Sequence, residues 1–294
     1  MQVDDVLSTH IEGLAPLRRP IMVVALTGWF DASGAAVGAL EWLLRDRIAP
    51  VVATIDPDPF YDFTQERPEV WIDDDDVRHV RWPSNEFRIA RFPGDARDLV
   101  VLSGVEPHVR WSTYCACITR VAALLGCDAV VTLGANADSV PHTRIPPVVG
   151  SSTNEDLVRR LGLSRPTYQG ITGVIGVLQE RLDAADLPAI SLRVGVPHYL
   201  GNAEHPQSSA ALLHHLQHVL GLSVDHADLA AEIERWRSLH DEAVAEDEHA
   251  GVYVAMLERQ YDQRAEASVP TADDLGAQFE AFLRDLDPGP DPDT

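Results

Sequence analysis

One alternation constrains this chain more than any other feature: short runs rich in β-branched residues recur between stretches with helical spacing. The first run, Ile21 to Leu26 (IMVVAL), is apolar at every position, as expected of a strand covered on both faces. It ends in the turn Thr27 to Gly34 (TGWFDASG), which leads into an Ala-rich helix from Ser33 to Arg45, with Ser33 or Asp31 as the N-cap. Val51 to Ile55 is the next strand, so the chain opens on a βαβ unit.

From Tyr61 to Phe92 the pattern shifts to short alternating pieces, Val77 to Trp82 and Phe87 to Phe92, around Pro83-Ser84-Asn85-Glu86. These predict antiparallel hairpins that extend or cover one sheet edge. Strand and helix patterns then alternate again. Strands are expected at Asp98 to Ser103, Ala129 to Leu133 and Ala189 to Val194, and helices at Trp111 to Leu125, Asn154 to Leu161, Gly173 to Ala185 and Pro206 to Leu220. The expected fold is α/β, a mostly parallel sheet with helices on both faces.

Beyond Gly221 the pattern is helical throughout. Leu229, Ile233, Trp236, His240 and Val244 share one face, as do Tyr253, Met256, Leu257 and Tyr261, and then Leu275, Phe279, Phe282, Leu283 and Leu286. Thr271 and Asp274 form an acidic variant of a capping box. The expected division is an α/β domain over 1–222, a helical extension over 223–286 that packs on the same chain or, as the alternative, on a partner, and a disordered acidic tail over 287–294.

The charge excludes several functions. The formal net charge is -23, and all 23 basic residues are Arg, since the sequence contains no Lys. A Walker A loop and a Schiff-base site both require Lys, and binding to nucleic acid or an anionic membrane requires a clustered positive field. No signal sequence or 20-residue apolar span is read, and three cysteines (Cys115, Cys117, Cys127) do not make a disulfide framework. A cytoplasmic location is expected. The six Trp residues are read as core packing.

The candidate site follows from topology, because ligands of open parallel sheets bind beyond the strand C-termini. Trp29 and Asp31 follow the first strand; Glu106, His108 and Arg110 follow the strand ending at Ser103. Asn136, Asp138, His142 and Arg144 follow the strand ending at Leu133, and His198, Tyr199 and Asn202 follow the one ending at Val194. Together they would line a crevice suited to acid/base work or to anion binding, and equally each His could be hydrogen-bonded within its own Pro-containing turn. No nucleophile stands out, because G-x-S-x-G is absent.

No metal or cofactor is expected. His214 and His218 lie one helical turn apart without the Glu of H-E-x-x-H, so they read as a solvated face. Asp73 to Asp76 lacks the EF-hand Gly and Glu spacing and reads as a solvated turn. Gly170, Gly173 and Gly176 make only a loose glycine fingerprint.

The motifs Gly28-Trp29-Phe30-Asp31-Ala32 with Gly34-Ala35-Ala36, Leu102 to Trp111 (LSGVEPHVRW), Val131 to Arg144 (VTLGANADSVPHTR) and Val196-Pro197-His198-Tyr199 together resemble the PAC2, or proteasome assembly chaperone, family in its actinobacterial form. The resemblance covers Ile21 to Leu222. It implies a three-layer α/β/α fold similar to purine nucleoside phosphorylases, no catalytic residues, no cofactor, protein partners such as proteasome subunits, and a homo-oligomer. The expectation is therefore a non-enzymatic assembly chaperone. The alternative is a small-molecule enzyme or ligand-binding protein, with an anion on Arg110 or Arg144 and with His108, His142 or His198 as acid/base.

Overall fold

The computed structural model describes residues 1–201, 203–223 and 227–268. Asn202, the third tail helix with its Thr271 cap, and the acidic tail lie outside the described residues. The first 55 residues hold strands β1 (Leu7–Thr9), β2 (Ile21–Thr27) and β3 (Val51–Ile55), with helix α1 (Ala35–Leu44) between the last two. Strands β4 (Glu69–Ile72), β5 (Arg78–Arg81), β6 (Asn85–Ala90) and β7 (Leu99–Val105) follow. Then come α2 (Trp111–Leu124), β8 (Ala129–Asp138), β9 (Val148–Ser151), α3 (Glu155–Leu161), α4 (Val174–Ala184), β10 (Ala189–Pro197) and α5 (Pro206–Leu220). Two further helices complete the described chain, α6 (Ala227–Glu246) and α7 (Glu248–Ser268).

Eight strands form one sheet in the order β1-β3-β6-β7-β2-β8-β10-β9. Its centre, β7-β2-β8-β10, is parallel, and antiparallel strands complete it on both sides. Alternate residues of β2 divide between the two faces: Ile21, Val23 and Ala25 join the core beneath α1 and α5, while Met22, Val24 and Leu26 join the core with Tyr114 and Ile118 of α2 and Leu178 of α4. This gives the expected three-layer α/β fold.

Three features differ from the sequence reading. The segment Phe87 to Phe92 does not form a hairpin with Val77 to Trp82; β6 lies inside the sheet between β3 and β7, and β5 pairs only with β4 in a separate two-stranded ribbon. Strand β8 runs on to Asp138, so Asn136 and Asp138 belong to the strand. None of the six tryptophans is fully buried: Trp29, Trp71 and Trp82 are exposed and the other three are half-buried. Tryptophan is large and so is rarely covered completely, and its periodic position sets the side it faces and not the depth it reaches.

Two polar locks hold the antiparallel half. The buried Asp98 carboxylate accepts from the Arg18 side chain (2.7 Å) and backbone (3.0 Å) and from Arg91 (3.2 Å). Burial alone would raise this carboxyl, but the Arg18 bonds and both cations outweigh it and hold it below the usual range. Asn85 sits at a second junction. Its Oδ1 accepts from Val105 N (3.1 Å) and Tyr114 Oη (2.7 Å), its Nδ2 donates to Tyr61 Oη, and Tyr61 Oη donates to Val105 O (2.6 Å).

The chain divides into two units, Met1–His240 and Asp241–Thr294. In the first, Leu229 and Ile233 of α6 join the core beneath α1 and α5. In the second, Asp247 begins α7, its carboxylate accepting from His249 N (2.8 Å) and Ala250 N (3.3 Å). Among the described residues no helix is long and apolar enough to cross a membrane.

Candidate functional site

The parallel strands end on one edge, and there the loops after β2, β7, β8 and β10 carry the candidate residues. They form two groups. On the β2–β7 side, Gly28 lies at φ 147°, and a Cβ there would stand 2.7 Å from Glu106 Cβ. That close approach lets Glu106 Oε2 accept from Trp29 N (3.0 Å), while its other oxygen reaches Val174 N (3.5 Å) at the start of α4. A carboxylate at a helix N-terminus is favoured by the helix dipole. Glu106 therefore ties the first loop to α4, and Trp29 is left 73% exposed.

Asp31 is buried beside Ala135, bridged to it through the backbone. Its Oδ1 accepts from Ala36 N (2.7 Å) at the start of α1, whereas Oδ2 has no hydrogen-bond partner. Burial raises this carboxyl to about 6, partly offset by the amides of Ala36 and Val37. Phe30 lies over Gly134, where a Cβ would meet its ring at 2.3 Å, so a larger residue at 134 would displace the Phe30 ring.

On the β8–β10 side, His142 is fully buried. Its backbone N donates to Tyr199 Oη (2.7 Å), and its Nδ1 lies 2.6 Å from the same oxygen. The ring neighbours Trp236 and His240 of α6, with centroids 6.2 Å away in each case. His198 is exposed, its Nδ1 2.9 Å from Asp138 O. Arg144 donates to Thr143 Oγ1 (3.3 Å), and Asn136 is exposed and donates to Ala137 O (3.4 Å).

Two expected residues stand apart from both groups. His108 faces the antiparallel half, where Nδ1 accepts from Asp62 N (2.9 Å) and the ring meets Tyr61 edge-on. Arg110 is the left-handed N-cap of α2, and its exposed side chain reaches Met1 Sδ (3.9 Å). The edge therefore does not bring His108 and Arg110 together with His142 and His198 in one acid/base constellation.

The residue the sequence reading missed is His205. It is buried at the N-cap of α5, just before Pro206 at the first helical position. Ser208 Oγ donates to Gly195 O (2.9 Å), so its single proton is committed, and His205 Nδ1 must donate to Ser208 Oγ (2.6 Å). Nε2 is then a bare acceptor, buried and unpartnered, with the Trp236 ring 4.8 Å away edge-on. Burial, then the neighbouring His142 and His240, lower His205 to about 4. The available signal was a polar H-P-Q-S-S string where a helix begins; its depth depends on β10 running to Pro197.

The remaining motifs serve structure. His214, His215 and His218 lie on the exposed face of α5, and Cys115, Cys117 and Cys127 are buried. Burial pushes the Cys115 thiol up to about 12 and Cys117 to about 11. Among the described residues no three His, Cys, Asp or Glu side chains are grouped to hold a metal ion.

A three-layer sheet with a polar strand edge defines a fold class and not a reaction. Family comparison makes it specific: the PAC2 family model matches residues 25–244, and the chain belongs to the PAC2 family. A PAC2 family protein from Streptomyces avermitilis is 37% identical, with 80% of this chain and 99% of that one covered at a TM-score of 0.75. A Mycobacterium tuberculosis proteasome-assembly chaperone homologue is also 37% identical, with the same coverage and a TM-score of 0.72. An archaeal proteasome activator from Pyrococcus furiosus shares the fold at 20% identity and a TM-score of 0.65, over 81% of this chain and 98% of its own. No curated protein matches this chain.

Proposed function

We propose that this chain is a non-enzymatic, proteasome-assembly-related protein that works by binding other proteins, proteasome subunits first among them. The observation that carries the reading is its 37% identity to the mycobacterial proteasome-assembly chaperone homologue over 99% of that chain. The site chemistry supports it. Glu106, His108 and His198 each engage a backbone group, and His108 is held by Asp62 and Tyr61 rather than by the His142 and Tyr199 group. Self-association in the cytoplasm is part of the same reading, with subunit number measured by light scattering. The test is binding of the purified chain to purified proteasome α and β subunits by calorimetry and size-exclusion chromatography. A stable complex with either is expected; no binding to any subunit, alone or during assembly, would remove the reading.

A second reading rests on buried Asp31, whose free Oδ2 and raised pKa leave an acceptor or a proton unused by the fold. In it the strand edge binds a small ligand. Thermal-shift screening of nucleosides, phosphates and carboxylates against the chain and its D31N variant decides it: a stabilising ligand whose effect depends on Asp31 favours it.

A further inference from the structure

The ribbon β4–β5 carries apolar side chains that the fold leaves largely exposed. Its register pairs Val70 with Val80 and Ile72 with Arg78, and directly paired residues of an antiparallel ribbon share a face. Val70, Ile72 and Val80 therefore lie on one face, which Trp82 continues at the ribbon base, its ring edge-on to Phe63 (5.0 Å) and still half exposed. These four are between 49% and 65% exposed. On the other face, Trp71 stacks on His79 (4.4 Å) and Glu69 pairs with Arg81. Both faces are largely exposed, Trp71 itself at 49%, so they differ in chemistry: one is charged and stacked on itself, the other is an apolar strip. An isolated two-stranded ribbon is marginal in water, and an alternating strand pattern with no covering layer marks a contact surface.

The turn at the ribbon tip indicates what kind of surface covers it. Asp73 is engaged in the turn, its carboxylate accepting from Asp75 N (3.0 Å) and Val77 N (2.9 Å) and lying 2.6 Å from His79 Nε2. The side chains of Asp74, Asp75 and Asp76 are exposed and hold no hydrogen bond or ion pair among the described residues. Three unneutralised carboxylates thus border an apolar strip whose one cation is Arg78. A second copy laid on this face would bring its own tip carboxylates to the same strip, so the charge disfavours a contact between copies here.

We propose that the Val70, Ile72, Val80 and Trp82 face of the ribbon, with the Asp74–Asp76 turn, is a docking surface for a different protein that presents an apolar strip bordered by Lys or Arg. The inference rests on the protein-binding reading above and assigns it a surface. Aromatic anchors are the side chains that contribute most to such contacts, and the tip charges would steer and orient the partner.

The test places a photo-crosslinking benzoylphenylalanine at Ile72 of the full chain in its source cells, with the same probe at Ile48, outside the ribbon and 94% exposed, as background. A product specific to position 72 is expected. It should fall ~10-fold in the D74R/D75R background, since reversing two steering charges weakens a complementary contact. The unfolding midpoint of that background, measured in parallel, is expected to stay unchanged. A product with a proteasome subunit supports both readings. A charge-sensitive product with another protein keeps the docking surface and removes the proteasome role. Proteasome-subunit binding by the purified chain, with no product at 72, keeps that role and overturns the surface. A product only with a second copy, a product indifferent to the charge reversal, or none at all, also overturns it.

Discussion

The eight-stranded sheet and the β4–β5 ribbon are built from the same residue types yet have opposite fates. In β2, six of seven residues are buried, and in β7 the first four are. In the ribbon, seven of the eight strand residues are exposed and only His79 is half-buried. Both read in sequence as short runs carrying Val and Ile. The difference lies in what covers them: helices α1, α5, α2 and α4 cover the sheet, whereas on the open ribbon face Phe63 meets Trp82 and leaves Val70, Ile72 and Val80 at least half exposed. Apolar content in the sheet therefore stabilises the fold, while in the ribbon it is available to a partner.

The contrast breaks most readily at Asn85, which joins β6 to the end of β7. Asn85→Ala strands the amide of Val105 and the hydroxyl of Tyr114 inside the protein, and each unsatisfied buried group costs about 1–3 kcal/mol. The expected loss is about 4 kcal/mol, read from urea unfolding. A loss under about 1 kcal/mol would mean that water replaces the side chain and that this junction does not lock the sheet.

Next in size is the pH response of the strand edge, where two buried groups act in opposite directions. His205 is lowered to about 4 from an ordinary value near 6.5, so the unfolded chain takes up a proton before the folded one does. Its contribution is complete above pH 6.5 and is lost as pH falls toward about 4, about 3 kcal/mol in all. His205→Gln should remove that slope, and an unchanged slope would place the titration elsewhere. Asp31 works the other way. Its carboxyl is raised to about 6, so the ionised form costs stability as pH rises from about 4 to about 6. Asp31→Asn keeps the acceptor for Ala36 and removes the charge, so a gain of about 2 kcal/mol is expected at pH 7.5 and almost none at pH 4.

Much of this was legible in the residues. Runs such as IMVVAL pointed to the parallel centre, because a strand buried on both faces reads as a near-continuous apolar run, and the loops beyond those strands hold Glu106, Asp31 and Tyr199. Pairing was harder to read. Phe87 to Ala90 alternates like a hairpin arm and pairs antiparallel with the next strand, β7, but nothing local says that its other edge takes β3, more than thirty residues earlier in sequence. Site composition was hidden for the same reason. His108 and His142 look alike in sequence, each next to a Pro, but a turn held by Asp62 takes one away and Tyr199 buries the other.

The smallest expected effect on stability is also the one that separates the two regions most cleanly. Ile72→Ser removes an apolar side chain of strand size, and the same change at Val101, in the middle of β7, would cost about 3 kcal/mol by lost burial and an unpaired hydroxyl. At Ile72 the side chain is already 65% exposed and touches no second layer, so the cost should be under about 0.5 kcal/mol. Thermal unfolding of both variants beside the parent chain checks the difference. Unequal losses in that order would show that the ribbon's apolar face contributes little to folding, which leaves binding as the reason for its sequence. Equal losses would mean that the ribbon is covered by its own chain in solution, and the distinction between a folding face and a docking face would fail at its strongest point.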